Sequence, residues 1–99
     1  MIENNNSLNA PPVAINNPDA IEVIRVWAVP GNLQEVSLKT FWEDPGSWGI
    51  MLVDIAKHVA QAYSNEGHNK NVVLKRIKEL FDAEWSSPTD EPKDITQKN

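Results

Sequence analysis

The sequence predicts an α+β domain, a β-hairpin followed by two α-helices, and three observations carry that prediction. Residues 21–29 (IEVIRVWAV) are dense in β-branched side chains and tryptophan, as strands are. A Pro30-Gly31-Asn32 turn cluster separates them from the alternating segment 33–39. Beyond Asp44-Pro45, apolar residues recur at helical spacing through two successive stretches. The order strand, strand, helix, helix implies two helices packed on one face of the sheet.

In the first strand, Ile24, Val26 and Ala28 fall on one face, and Val23, Arg25 and Trp27 on the other. The returning strand places Val36 and Leu38 on one side and Glu35, Ser37 and Lys39 opposite. Asp44-Pro45 is a helix start: the carboxylate accepts from free amides of the first turn, and proline there sacrifices only an unpaired donor. Trp48, Met51, Leu52, Ile55, Val59, Ala62 and Tyr63 then form one stripe. Gly49 interrupts this pattern, implying close packing or a late helix start, and Gly67 supplies the stop. Asn69 or Asn71 caps a second helix running to about Trp85. Its apolar side carries Val73, Leu74, Ile77, Leu80 and Phe81; Lys75–Glu79 and Lys78–Asp82 are spaced as surface neighbours.

Both flanks read differently. Residues 1–18 are rich in asparagine and proline without apolar periodicity, an expected disordered arm with Pro11-Pro12 locally extended. Residues 88–99 hold mixed charge and a single isoleucine, an expected disordered tail. One domain over 19–87 remains. A core that small is marginal, and a two-stranded sheet leaves two unpaired edges. Pairing of hairpins from two copies would give a four-stranded sheet, so a homodimer is expected. The alternative is a monomer whose arm, at residues 13–15, adds a third strand.

Composition removes several function classes. The 99 residues carry 14 acidic and 9 basic side chains, a net charge of −5, with no cysteine, two histidines and four tryptophans. Without cysteine there is neither a disulfide framework nor a thiolate metal site. No apolar run approaches a membrane span, and the first ten residues lack a secretory signal pattern, so a cytoplasmic location is expected. Lys70, Lys75, Arg76 and Lys78 tint the second helix basic. They are scattered around its axis among Glu79 and Asp82, so a solvated face is expected rather than a nucleic-acid contact.

Two sets of side chains are candidates for function. Asp54 and His58 lie one helical turn apart, the spacing at which a carboxylate orients an imidazole for proton transfer or ligand binding in a cleft. The plainer account is a structural polar pair, since no nucleophile motif accompanies it. Neither a metal set nor a phosphate-cradling glycine loop is evident, and no cofactor is expected. The second set is aromatic: Trp27 with Arg25 and Glu35 on the hairpin's polar face, and Trp42 before the first helix. Tryptophan combines apolar area with one donor and is enriched at interface hot spots as well as in small cores.

The blocks Asp19-Ala-Ile-Glu-Val-Ile-Arg-Val-Trp27, Asp44-Pro-Gly-Ser-Trp-Gly-Ile-Met-Leu-Val-Asp54 and His58-Val-Ala60 resemble a family of short bacterial proteins known as a domain of unknown function. The helix from Val72 to Glu84, closed by Ser87-Pro88, continues the likeness, which spans about residues 12–90. The resemblance implies a bacterial source and a compact α+β domain, and brings no activity, cofactor or catalytic residue. The expected function is therefore a non-enzymatic self-association and protein-interaction module using Arg25, Trp27, Glu35 and Trp42. An enzyme or ligand binder built on Asp54 and His58 is one alternative. Weak nucleic-acid binding through the second helix is the other.

Overall fold

The computed structural model describes residues 5–88 and 93–94. A short helix α1 (Pro12–Asn16) precedes strands β1 (Ile24–Trp27) and β2 (Glu35–Leu38). Helices α2 (Gly46–Asn65) and α3 (Lys70–Ser86) follow, and a two-residue strand β3 (Lys93–Asp94) ends the order. Two antiparallel strands followed by helices make the chain α+β. The hairpin register pairs Ile24 with Leu38, Arg25 with Ser37, Val26 with Val36 and Trp27 with Glu35. Ile24, Val26, Val36 and Leu38 consequently share one face, and Arg25, Trp27, Glu35 and Ser37 the other, as the two-residue period requires.

Local chemistry explains each boundary. Asn32 N–H donates to Val29 C=O at 2.9 Å across Pro30-Gly31, with Gly31 at φ +83°. That is a turn with proline fixing one central residue and glycine taking the positive φ of the next. The Asp44 carboxylate accepts from Gly46 N–H at 2.8 Å, opening α2 as expected. At the other end, Gly67 N–H donates to Ser64 C=O and His68 N–H to Tyr63 C=O, with Gly67 at φ +100°. This is the Schellman pattern of a glycine-terminated helix. Asn69, rather than Asn71, caps α3 by accepting from Val72 N–H at 3.1 Å.

Four features depart from the sequence reading. Helix α1 lies inside the expected arm: Pro11 is extended, but Pro12 occupies the first helical position, where its missing N–H costs nothing. Most of the expected tail lies outside the described residues, yet Lys93–Asp94 pair parallel to β2. The third strand thus comes from the carboxyl-terminal side, not from residues 13–15, and the sheet order is β1-β2-β3. Gly49 sits inside α2 with open space where a Cβ would project, so neither close packing nor a late start accounts for it.

The fourth departure concerns packing. The helices touch one another and the strands touch one another, but the helical pair is not laid on the sheet of its own chain. Ala60 is the sole fully buried apolar residue described. It lies one turn from both Ala56 and Ser64, which are also partly covered, as are Val73, Leu74 and Ile77 on α3, the helix that packs against α2. The larger stripe of α2 points elsewhere: Leu52 is 44% exposed and Val59 38%. On the sheet, Val26 is 57% exposed. The chain exposes 9078 Å², against roughly 5,700 Å² for a compact chain of its mass, an excess of roughly 3,400 Å². Its radius of gyration is 15.6 Å, where roughly 12.6 Å is usual for this length.

Candidate interaction surface

β1 carries the surface because, among the described residues, no strand pairs with its outer edge, while β2 is flanked by β3. Trp27 is half-buried at the turn end of β1, directly across from Glu35. With Val29, Asn32, Leu33 and Glu35 it lines an open hollow of about 380 Å³. Trp27 also borders a broader groove of about 880 Å³, between the segment around α1 and β1. Leu8, Val13 and Ile15 of that segment are exposed. Arg25 pairs with Glu22 at 3.0 Å, both well exposed, so the pair orients the guanidinium more than it stabilises the fold.

Trp42 is elsewhere. It follows the far end of β2 and makes edge-to-face contacts with Phe41 at 5.5 Å and Trp48 at 5.3 Å. Such pairs prefer this geometry because the positive ring edge meets the negative face. Trp42 therefore braces the exit from β2 into α2, whereas Arg25, Trp27 and Glu35 share one face of the hairpin.

Asp54 and His58 are both exposed on α2, one turn apart, with no hydrogen bond or ion pair between them. Neither lines the two hollows along β1. Among the described residues no group of three or more His, Cys, Asp or Glu is arranged to hold a metal ion. On α3, Lys78 pairs with Asp82 at 2.7 Å and Arg76 with Glu79 at 3.7 Å, so two of its four basic residues face carboxylates. Among the described residues no helix is long and apolar enough to cross a membrane.

What the sequence reading missed is the open apolar surface of the helices. Leu52, Ile55, Val59 and Tyr63 recur at helical spacing on α2, and all four are exposed. Phe81 and Trp85 stack at 5.5 Å near the end of α3, with Trp85 76% exposed. A signal was present. Ala56, Ala60 and Ser64 already provide α2 with a face for α3, so the wider stripe is more apolar surface than one neighbouring helix covers.

Residues 7–89 match the family described as "Domain of unknown function (DUF5076)". The chain belongs to this family. The match begins well before residue 19, so the family pattern takes in α1 and the segment ahead of it. No curated protein matches the chain. Among solved structures it is similar to one from the photosynthetic bacterium Rhodopseudomonas palustrus CGA009, described as "a putative pyruvate dehydrogenase". The two are 35% identical, 99% of each chain is covered, and the TM-score is 0.74. At that score and coverage the two chains share their overall fold.

Proposed function

We propose that this DUF5076 protein is a non-enzymatic, cytoplasmic self-association module, working as a homodimer that offers the Trp27 face of its hairpin to another protein. One observation carries the reading: large apolar side chains stand open on both layers, Val26 on the sheet and Leu52, Ile55, Val59 and Tyr63 on α2. Monomeric soluble proteins rarely leave rows of large apolar side chains open in this way, because water meets them at a free-energy cost. A second copy is the occupant that is always available at matching concentration.

Arg25, Trp27 and Glu35 suit a further contact. The indole supplies apolar area, the flanking charges supply selectivity, and the hollow beside Leu33 receives a partner side chain. The dehydrogenase description of the Rhodopseudomonas protein does not enter this reading, in which Asp54 and His58 stand exposed on α2 without a bond between them. Sedimentation equilibrium tests the proposal. A species of twice the 11.1 kDa chain mass is expected, and a chain-mass species at high micromolar concentration overturns it. Trp27→Ala is expected to keep the dimer mass while weakening capture of a third component; loss of the fold would move Trp27 into the structural framework.

A further inference from the structure

We infer that two copies of the chain exchange layers, the α2–α3 pair of one lying on the apolar sheet face of the other, and reciprocally. The inference rests on the self-association reading and adds to it the surfaces that meet. Each chain presents both halves of an α/β sandwich without closing it. The sheet half is the face carrying Ile24, Val26, Val36 and Leu38. The helical half is the stripe of Leu52, Ile55, Val59 and Tyr63, four positions without a charge.

Three observations favour a second copy over closure within one chain. The contacts of Trp42 with Phe41 and Trp48 brace the connection between β2 and α2, and α2 and α3 touch each other without touching the strands of their own chain. The Rhodopseudomonas structure shares the overall fold across 99% of both chains at a TM-score of 0.74. The area also fits: obligate homodimers bury about 2,000–5,000 Å² in total, or about 1,000–2,500 Å² per chain, within the roughly 3,400 Å² excess that the open layers and the exposed segment ahead of β1 carry together. A reciprocal exchange is self-complementary, so a two-fold axis closes it and leaves neither half open. Asp54 and Lys57 lie on the side of α2 away from the stripe, with His58 on its flank beside Ile55.

Edge-to-edge hairpin pairing is the competing dimer. β3 already flanks β2, so pairing across two β1 edges would make six strands rather than four. It would also have to pass the segment that borders the groove along β1. Such pairing leaves the helical stripe uncovered.

The chain contains no cysteine, so single introduced thiols report cleanly. Val26→Cys chains and Ile55→Cys chains, of different tag length, are mixed, allowed to exchange and treated with a short bis-maleimide. The exchange predicts a mixed-length adduct in several-fold excess over either same-length adduct. A Val26–Val26 adduct as the main product, with the dimer mass retained, overturns the exchange and leaves self-association standing. Chain-mass behaviour of the unaltered protein overturns both. A doubly substituted chain that links internally, without a gain in mass, shows helices folded back on their own sheet and overturns the exchange. Should a cysteine variant fail to associate, hydroxyl-radical footprinting of the unaltered chain serves instead. Concentration-dependent protection of Leu38, Leu52 and Tyr63 together supports the exchange, and protection of sheet residues alone overturns it.

Discussion

Replacing Val59 with aspartate separates the stability of one chain from that of the pair. Val59 lies mid-stripe on α2 with 38% of its surface open, roughly 60 Å² for a valine. At about 25 cal/mol per Å², covering that area in both copies contributes about 3 kcal/mol, or roughly 150-fold in the dissociation constant. The aspartate loses this contribution and adds about 2 kcal/mol or more per chain for desolvating a carboxylate without a partner. In the isolated helix the same change costs only about 0.5 kcal/mol of propensity, because the site faces water. Sedimentation and far-ultraviolet circular dichroism on the same samples are the assay. The dissociation constant is expected to rise by at least a thousandfold (about 4 kcal/mol). Helicity, measured where both proteins are fully associated, stays unchanged. A Val59→Asp chain that associates as tightly as the parent refutes the reasoning.

Other outcomes follow from individual sites. Asn69→Ala removes the bond to Val72 N–H and costs about 1 kcal/mol, read as a thermal midpoint roughly 4–8 °C lower. Gly49→Ala fills open space inside α2 and raises stability by about 0.5–1 kcal/mol in the same melts; a fall would mean that another copy approaches that glycine. Trp42→Ala removes two edge-to-face contacts and lowers stability by about 3 kcal/mol or more in chemical denaturation. Asp54→Asn leaves mass, melting and ligand-free spectra unchanged, since its carboxylate has no partner; a lost dimer would contradict that placement.

Local elements were legible in the sequence because their causes are local. The Pro30-Gly31 turn, the Asp44 carboxylate at the start of α2, the Gly67 stop and the Asn69 cap each act through hydrogen bonds within a few residues. The two faces of the hairpin followed from the same logic. Helix α1 left a readable sign, proline at the first helical position, which the surrounding asparagines outweighed. β3 left none: two residues without apolar pattern pair with a strand more than fifty positions away. The relation between layers was also hidden. Periodicity states that Leu52, Ile55 and Val59 share an apolar side; it does not state which molecule covers them. Among candidate site residues, Arg25, Trp27 and Glu35 proved to share a face. Trp42 went to the aromatic brace, a contact with Trp48 that spacing alone does not reveal.

The most direct measurement is the thermal unfolding midpoint across a hundredfold range of protein concentration. If the apolar layers of each chain are covered by its counterpart, folding and association are linked and the midpoint climbs steadily with concentration. A cooperative transition whose midpoint stays fixed over that range would mean that one chain holds its fold unaided, and would contradict the account.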